Sequence, residues 1–105
     1  MTISAADTTL DNGTVILNGS LLDIDENTTI SSDLVHEADS TVDVFTDKTL
    51  TCSGAPLKIG SSALTLIGGG RIANANELVM NDPIGVLTLD GIAEVEQVTV
   101  TGVLE

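Results

Sequence analysis

Acidic side chains come nearest, in type and spacing, to a chemical site in this chain. Asp23, Asp25 and Asn27 alternate in the segment Asp-Ile-Asp-Glu-Asn, so they would share one side of an extended strand end. Their oxygens are the hard ligands that Ca²⁺ prefers. The segment lacks the glycine and the final bidentate glutamate of an EF-hand loop. We therefore take these three residues as a candidate calcium site, with an ordinary solvated corner as the alternative. We predict no other cofactor.

The same acids are the candidates for acid–base catalysis. Asp43 follows Asp23 by one period of the repeat described below, so we expect it at the matching position on the next coil. Stacked carboxylates of this kind can exchange protons with a sugar substrate. However, the three basic residues fall at different corners, and no aromatic platform is predicted that could stack on a sugar ring; the basic residues are Lys48, Lys58 and Arg71. We predict no catalytic residues.

Three further features carry less chemistry. His36 is the only histidine, and one imidazole without a second histidine or a cysteine does not make a zinc site; we expect it in a surface loop. Cys52 has no disulfide partner and alternates with Leu50, which predicts a small inward-facing filler. Gly68-Gly-Gly-Arg71 lacks the Lys-Ser/Thr and the following helix of a phosphate-binding loop, so we expect a corner.

A repeat positions these residues. Leu22, Val42, Leu64 and Leu87 are 20, 22 and 23 residues apart, and an aliphatic residue follows each one eight positions later. Such a period is too short for a domain but suits a solenoid, in which each coil covers the apolar face of the previous one. The sequence therefore predicts an all-β fold, a parallel β-helix of about five coils with three short strands per coil.

Apolar residues form three inward-facing columns when the copies are aligned. The first column holds pairs spaced by two, as expected for strands with one buried face: Leu22/Ile24, Val42/Val44, Leu64/Leu66 and Leu87/Leu89. We expect these eight residues to form one buried stack. The second column runs from Leu10 through Ile30, and the third begins with Ile16 followed by one of Leu34 and Val35.

The alternative fold is an antiparallel β-sandwich, because Asn-Gly and Asp-Gly pairs are also hairpin signals. The constant eight-residue step favours the β-helix. Composition agrees, since the chain has one Phe and no Trp or Tyr, whereas a sandwich core usually relies on bulky aromatic side chains.

The net charge of −13 limits the classes of partner. Nucleic-acid affinity depends largely on Lys and Arg, so we expect no nucleic-acid binding. We expect no membrane insertion either, because no apolar run is long enough to span a bilayer. The acids favour a solubility role on a secreted or surface protein, with adaptation to high salt and Ca²⁺ binding as alternatives.

Two segments, 63–72 and 85–92, have the sequences Ala-Leu-Thr-Leu-Ile-Gly-Gly-Gly-Arg-Ile and Gly-Val-Leu-Thr-Leu-Asp-Gly-Ile. They resemble coils of the β-helical passengers of bacterial autotransporters and of large secreted adhesins. The resemblance is a pattern over most of the chain and transfers no functional residue. It implies an extracellular or cell-surface location and a carbohydrate or cell-surface ligand.

The chain is expected to be one domain over residues 1–105. Because it begins inside a repeat and ends in Leu104-Glu105, a dipeptide typical of a cloning site, we expect a segment of a larger protein. Our functional hypothesis is a non-enzymatic structural or adhesive segment. The alternatives are a carbohydrate-active β-helix, and a solenoid that assembles end to end through edges at residues 2–4 and 98–101.

Overall fold

The computed structural model describes residues 1–11, 13–19, 21–53, 58, 59, 62–74, 78–80, 85–96, 98–100 and 103–105, and their regular structure is entirely β-strand. In this part of the chain, each strand pairs with the strand three positions later in sequence. The chain therefore visits three walls in turn and then repeats. This is the predicted parallel β-solenoid with three strands per coil.

Wall 1 contains the first strand of each coil. Its six strands, in spatial order, are β1 (Thr2–Ile3), β4 (Leu21–Ile24), β7 (Ser40–Val44), β10 (Ala63–Ile67), β13 (Val86–Asp90) and β16 (Val103–Leu104).

Walls 2 and 3 contain five strands each. Wall 2 consists of β2 (Thr8–Leu10), β5 (Thr28–Ile30), β8 (Thr49–Cys52), β11 (Arg71–Asn74) and β14 (Glu94–Val95). Wall 3 consists of β3 (Thr14–Asn18), β6 (Asp33–Ala38), β9 (Lys58–Ile59), β12 (Leu78–Met80) and β15 (Val98–Val100).

Every strand pairing within the three walls is parallel, from β1–β4 at one end to β13–β16 at the other. The antiparallel contacts among the described residues are isolated bridges at corners, Phe45–Gly69 and Ile67–Gly91. An antiparallel sandwich is therefore excluded, and the prediction of a β-helix is confirmed.

The interior is aliphatic, as the composition predicts. On β7 the alternation is regular, since Ser40, Val42 and Val44 are buried whereas Thr41 and Asp43 are only partly buried. Buried residues of the three walls together form one core that runs through the coils: Ile3, Leu17, Leu22, Ile24, Ile30, Val42, Val44, Leu50, Leu64, Leu66, Ile72 and Leu87. The single aromatic residue, Phe45, is exposed.

Leu89 departs from the predicted stack of eight residues in column 1. The other seven are buried, but Leu89 is 39% exposed. Leu66 is its register partner on one side. On the other side β16 pairs with Val86 and Leu87, and the Leu89 N–H donates to the Glu105 carbonyl at 2.6 Å, but no side chain is in register with Leu89. The prediction that Leu89 is buried was wrong because it assumed a neighbouring coil on both sides.

The strand register also differs from the predicted one between β7 and β10. The repeat places Leu64 beside Val42, but the structure pairs Val42 with Leu66 and Leu64 with Ser40. Side chains alternate with a period of two, so a shift of two residues leaves every apolar side chain on the inward face. The core therefore tolerates the shift, whereas the outward columns are rearranged by it.

Wall 3 contradicts two predictions. Ile16 was expected inside but is exposed, and its neighbour Leu17 is buried instead. His36 was expected in a surface loop but lies in β6, in register with Leu17, and is 6% exposed. The cause is the sequence itself, because uninterrupted apolar residues at 15–17 and 34–35 show no period-two alternation that would identify the inward face.

Hydrogen bonds within and between coils hold the corner that leads from wall 3 to wall 1. The Gly19 N–H donates to Ser40 Oγ at 3.2 Å, and the Ser40 hydroxyl donates to the Ala38 carbonyl at 2.7 Å. The Ala63 N–H donates to Asp39 Oδ1 at 2.8 Å. Successive coils are therefore fastened at this corner as well as along the walls.

Candidate functional site

The candidate site is a group of carboxylates on the outer face of wall 1. Asp23 on β4 and Asp43 on β7 alternate with buried aliphatic residues, so both point outward. The parallel register makes them direct partners, which brings two like charges together on neighbouring strands. Asp23 and Asp43 both lie within regular strands. The buried aliphatic residues on either side of each acid fix its position.

Asp25 joins this pair just beyond the end of β4. Its N–H donates to the Ile3 carbonyl at 2.9 Å, which holds the backbone against the first coil. Partial burial raises the pKa of the Asp25 carboxyl above its ordinary value, and the charge of Asp23, a hydrogen bond with the Asp23 side chain, and the charges of Asp43 and Glu26 raise it further. A protonated Asp25 can donate to the Asp23 carboxylate, so the two acids can share a proton.

Asn27, the third predicted calcium ligand, is engaged elsewhere. Its backbone carbonyl accepts from the Asp7 N–H at 2.9 Å, and its Oδ1 accepts from the Thr49 N–H at 2.9 Å. The side chain thus links two coils at the start of wall 2. It also borders a polar groove of about 320 Å³ that is lined mainly by threonines, not the carboxylates of wall 1.

No group of three or more His, Cys, Asp or Glu side chains in the described ranges has a geometry that could hold a metal ion. Lys48 lies 3.0 Å from Glu26, so the acid next to Asp25 already has a cationic partner. The candidate calcium site at Asp23, Asp25 and Asn27 stays a prediction.

Phe45 is a neighbour of the carboxylates that the sequence argument overlooked. It follows Val44, the register partner of Ile24, just as Asp25 follows Ile24; the two side chains therefore leave equivalent positions on adjacent coils. Phe45 is 58% exposed. The outward direction of Phe45 could have been predicted from the sequence, because Phe45 continues the outward-facing alternation of Thr41 and Asp43.

A glycine corner lies against the same face. Gly68 has φ +103°, and a Cβ there would collide with the Asp43 carboxylate and the Val44 carbonyl. The Gly70 N–H donates to the Val44 carbonyl at 2.8 Å. The segment that contains Gly68 and Gly70 is therefore a corner, as predicted, and glycine is needed because this backbone passes so close to Asp43.

His36 is a buried polar side chain on wall 3. Its Nε2 lies 3.1 Å from the Ala63 carbonyl oxygen, which can only accept, so Nε2 carries the proton. Nδ1 is buried without a hydrogen-bond partner. In the backbone register of wall 3, His36 is the partner of Leu17 on one side and of Ile59 on the other. Its contact with the Ala63 carbonyl links β6 to the start of β10.

Cys52 behaves as the predicted filler. It packs against the core in register with Ile30, and burial raises the pKa of its thiol to about 11. A thiol with this pKa stays protonated at neutral pH, and the protonated form is a poor nucleophile.

The described part of the chain contains no helix long and apolar enough to cross a membrane. Comparison of the chain with protein-family models, with curated proteins and with solved structures gives no match.

Proposed function

We propose that this chain is a non-enzymatic structural segment of a secreted or cell-surface β-solenoid protein, in which it acts as a stiff spacer and display surface. The observation that carries the proposal is the core, which runs through successive coils of the described structure. The pattern-level resemblance to autotransporter passengers and secreted adhesins supports the location.

Stiffness would follow from how neighbouring coils are joined. Parallel ladders connect consecutive coils on the walls, and corner bonds such as that of Ala63 with Asp39 add further connections. Bending the stack would require breaking several of these bonds at once. Each coil adds about 4.8 Å of length, so length is set by the number of coils.

Small-angle scattering on a tandem fusion of two copies tests this function, with the single chain as the control. A stiff stack of about ten coils should be longer than the single chain by about 24 Å, at about 4.8 Å per coil, with an unchanged cross-section. A fusion that scatters as two independently moving particles would contradict the spacer function.

The adhesive part of the proposal concerns a carbohydrate or another cell-surface ligand. The outer face of wall 1 offers an exposed aromatic ring at Phe45 beside hydrogen-bond acceptors at Asp25 and Asp43, and a sugar has both an apolar face and hydroxyl donors. A glycan array tests this function. Binding that is lost in Phe45→Ala but kept in Leu21→Ala, an exposed residue also on wall 1, would support it, whereas no binding to any glycan would remove it.

A carbohydrate-active enzyme is the second candidate. Partial burial and neighbouring carboxylates raise the pKa of Asp25, and a carboxyl that keeps its proton can act as a general acid next to an ionised carboxylate. Incubation with oligosaccharides and product analysis tests this function. Cleavage abolished by Asp25→Asn would support an enzyme, and intact oligosaccharides would support the structural function.

A further inference from the structure

The corner between β3 and β4 contains an asparagine that is followed directly by a glycine. Asn18 is the last residue of β3 and is exposed, whereas its neighbour Leu17 is buried. Gly19 has φ +73°, and no atom lies within 4 Å of the position that a Cβ would occupy there. The backbone nitrogen of Gly19 therefore lies next to the Asn18 amide without a side chain of its own residue to shield it.

This pair of residues can react with itself. The Gly19 nitrogen attacks Cγ of Asn18, so that an N–Cγ bond forms and the Cγ–Nδ2 bond breaks. Nδ2 leaves as ammonia with the proton that the Gly19 nitrogen gives up, and the product is a cyclic imide. Water then opens the imide at either carbonyl. One opening gives aspartate in a normal backbone, and the other gives isoaspartate, in which the backbone runs through Cγ. Glycine favours ring closure because it has no Cβ and is conformationally free.

A hydrogen bond holds the attacking nitrogen in the native corner. The Gly19 N–H donates to Ser40 Oγ at 3.2 Å, while the Ser40 hydroxyl donates to the Ala38 carbonyl at 2.7 Å. Ring closure removes the proton of this N–H, so the bond to Ser40 must break during the reaction. The Ser40 hydroxyl cannot donate to the nitrogen instead while it donates to Ala38. Ser40 therefore stabilises the unreacted corner and slows the reaction.

We propose that Asn18 is a site of spontaneous deamidation in the folded protein, and that the hydrogen bond between Gly19 and Ser40 controls its rate. The reaction adds one negative charge to a chain that already carries −13, at the corner that also holds Asp39. The isoaspartate product lengthens the backbone at the point where the register between β3 and β6 already shifts. Modified chains should therefore be attached less firmly to the next coil at this corner.

Two comparable sites should react far more slowly. The Oδ1 of Asn27 accepts the Thr49 N–H at 2.9 Å, and the next residue, Thr28, is 2% exposed, so the nitrogen that would attack belongs to a buried, branched residue. Asp90 precedes Gly91 at an exposed corner, but an ionised carboxylate resists attack by a nucleophile. Among the described residues, exposure, an amide leaving group and a following glycine coincide at Asn18.

The experiment is incubation of the folded 105-residue chain for several weeks at neutral and at mildly alkaline pH, followed by peptide mapping with mass spectrometry. Fragment spectra distinguish Asn18 from Asn12, which also precedes a glycine but lies outside the described residues. Ser40→Ala removes the acceptor of the Gly19 N–H. Ser32→Ala is the matched control, because Ser32 is also buried and its hydroxyl also donates to a backbone carbonyl. Circular dichroism verifies that each variant is folded.

We expect aspartate and isoaspartate to accumulate at Asn18 in the folded wild type, and faster at the higher pH, because the Gly19 nitrogen attacks once it has lost its proton. Ser40→Ala should raise the rate by about two- to tenfold, the equivalent of one ordinary hydrogen bond, whereas Ser32→Ala should leave it unchanged. An Asn18 amide that stays intact in the wild type at both pH values would overturn the proposal, and this measurement does not depend on the folding of any variant. Equal rates in the two serine variants would overturn the control by Ser40.

Discussion

Leu64→Ala should destabilise the protein far more than the same substitution at Leu89. Leu64 is fully buried and lies between Ser40 and Leu87 in the register of wall 1. The three lost carbons cost about 2.4 kcal/mol at about 0.8 kcal/mol per methylene. The remaining cavity brings the total to about 2.7–5 kcal/mol.

Leu89 is the matched control, since it lies on the same wall but is 39% exposed. The fraction already in contact with water reduces the transfer cost to about 1.5 kcal/mol. Its open side leaves no enclosed cavity after truncation. Leu89→Ala should therefore cost at least about 1 kcal/mol less than Leu64→Ala.

Urea unfolding at low protein concentration, followed by circular dichroism, measures both variants. The dependence of the unfolding free energy on urea should be unchanged, so that the midpoint alone moves. Equal losses at the two positions would refute the account of the core, because they would mean that Leu64 is no better packed than a residue at the open end.

Three more predictions concern wall 1. The raised pKa of Asp25 means that the folded state holds the Asp25 proton more tightly than the unfolded state does. The protonated carboxyl therefore stabilises the fold relative to the ionised one, fully at low pH, and this stabilisation of the fold is lost as pH rises through the folded-state pKa. Asp25→Asn should therefore be more stable than the wild type at pH 7, with a difference that vanishes in acid unfolding at low pH. Gly68→Ala should lower the unfolding free energy by more than the roughly 1–2 kcal/mol expected at a left-handed position, because the added Cβ would collide with Asp43 and Val44. Gly91→Ala is the control: a Cβ there meets no atom within 4 Å, so it should cost only the roughly 1–2 kcal/mol of the left-handed backbone. Thermal unfolding of the two variants measures the difference. If Ca²⁺ binds, saturating Ca²⁺ should raise the melting temperature of the wild type but not that of Asp25→Ala, and identical curves in Ca²⁺ and in chelator would remove the calcium site.

Wall 1 was predictable because its sequence alternates. Asp23 and Asp43 separate inward-facing aliphatic residues, so spacing alone identified the buried face and the stacking of the two acids. The raised pKa of Asp25 could not be predicted this way, because it depends on distances to acids on another strand. Asn27 illustrates the same limit, since its partner Thr49 belongs to the next coil.

Wall 3 was harder to predict because its apolar residues are contiguous. Leu17 and His36 face inward, whereas the sequence predicted Ile16 inside and His36 in a surface loop. A single-residue change of phase exchanges the two faces of a strand. Tertiary contacts, such as that between His36 and Ala63, determine the phase where the local pattern does not.

The two-residue shift between β7 and β10 allows surface chemistry to change without a change of core. It places Thr41, Thr65 and Thr88 in one outward row, and it leaves Asp43 beside Ile67 instead of beside a threonine. Lengthening a corner by two residues can therefore slide one half of the surface pattern past the other while the same aliphatic side chains stay inside. A protein built this way can acquire a new combination of surface groups by a small insertion, with no substitution in its interior.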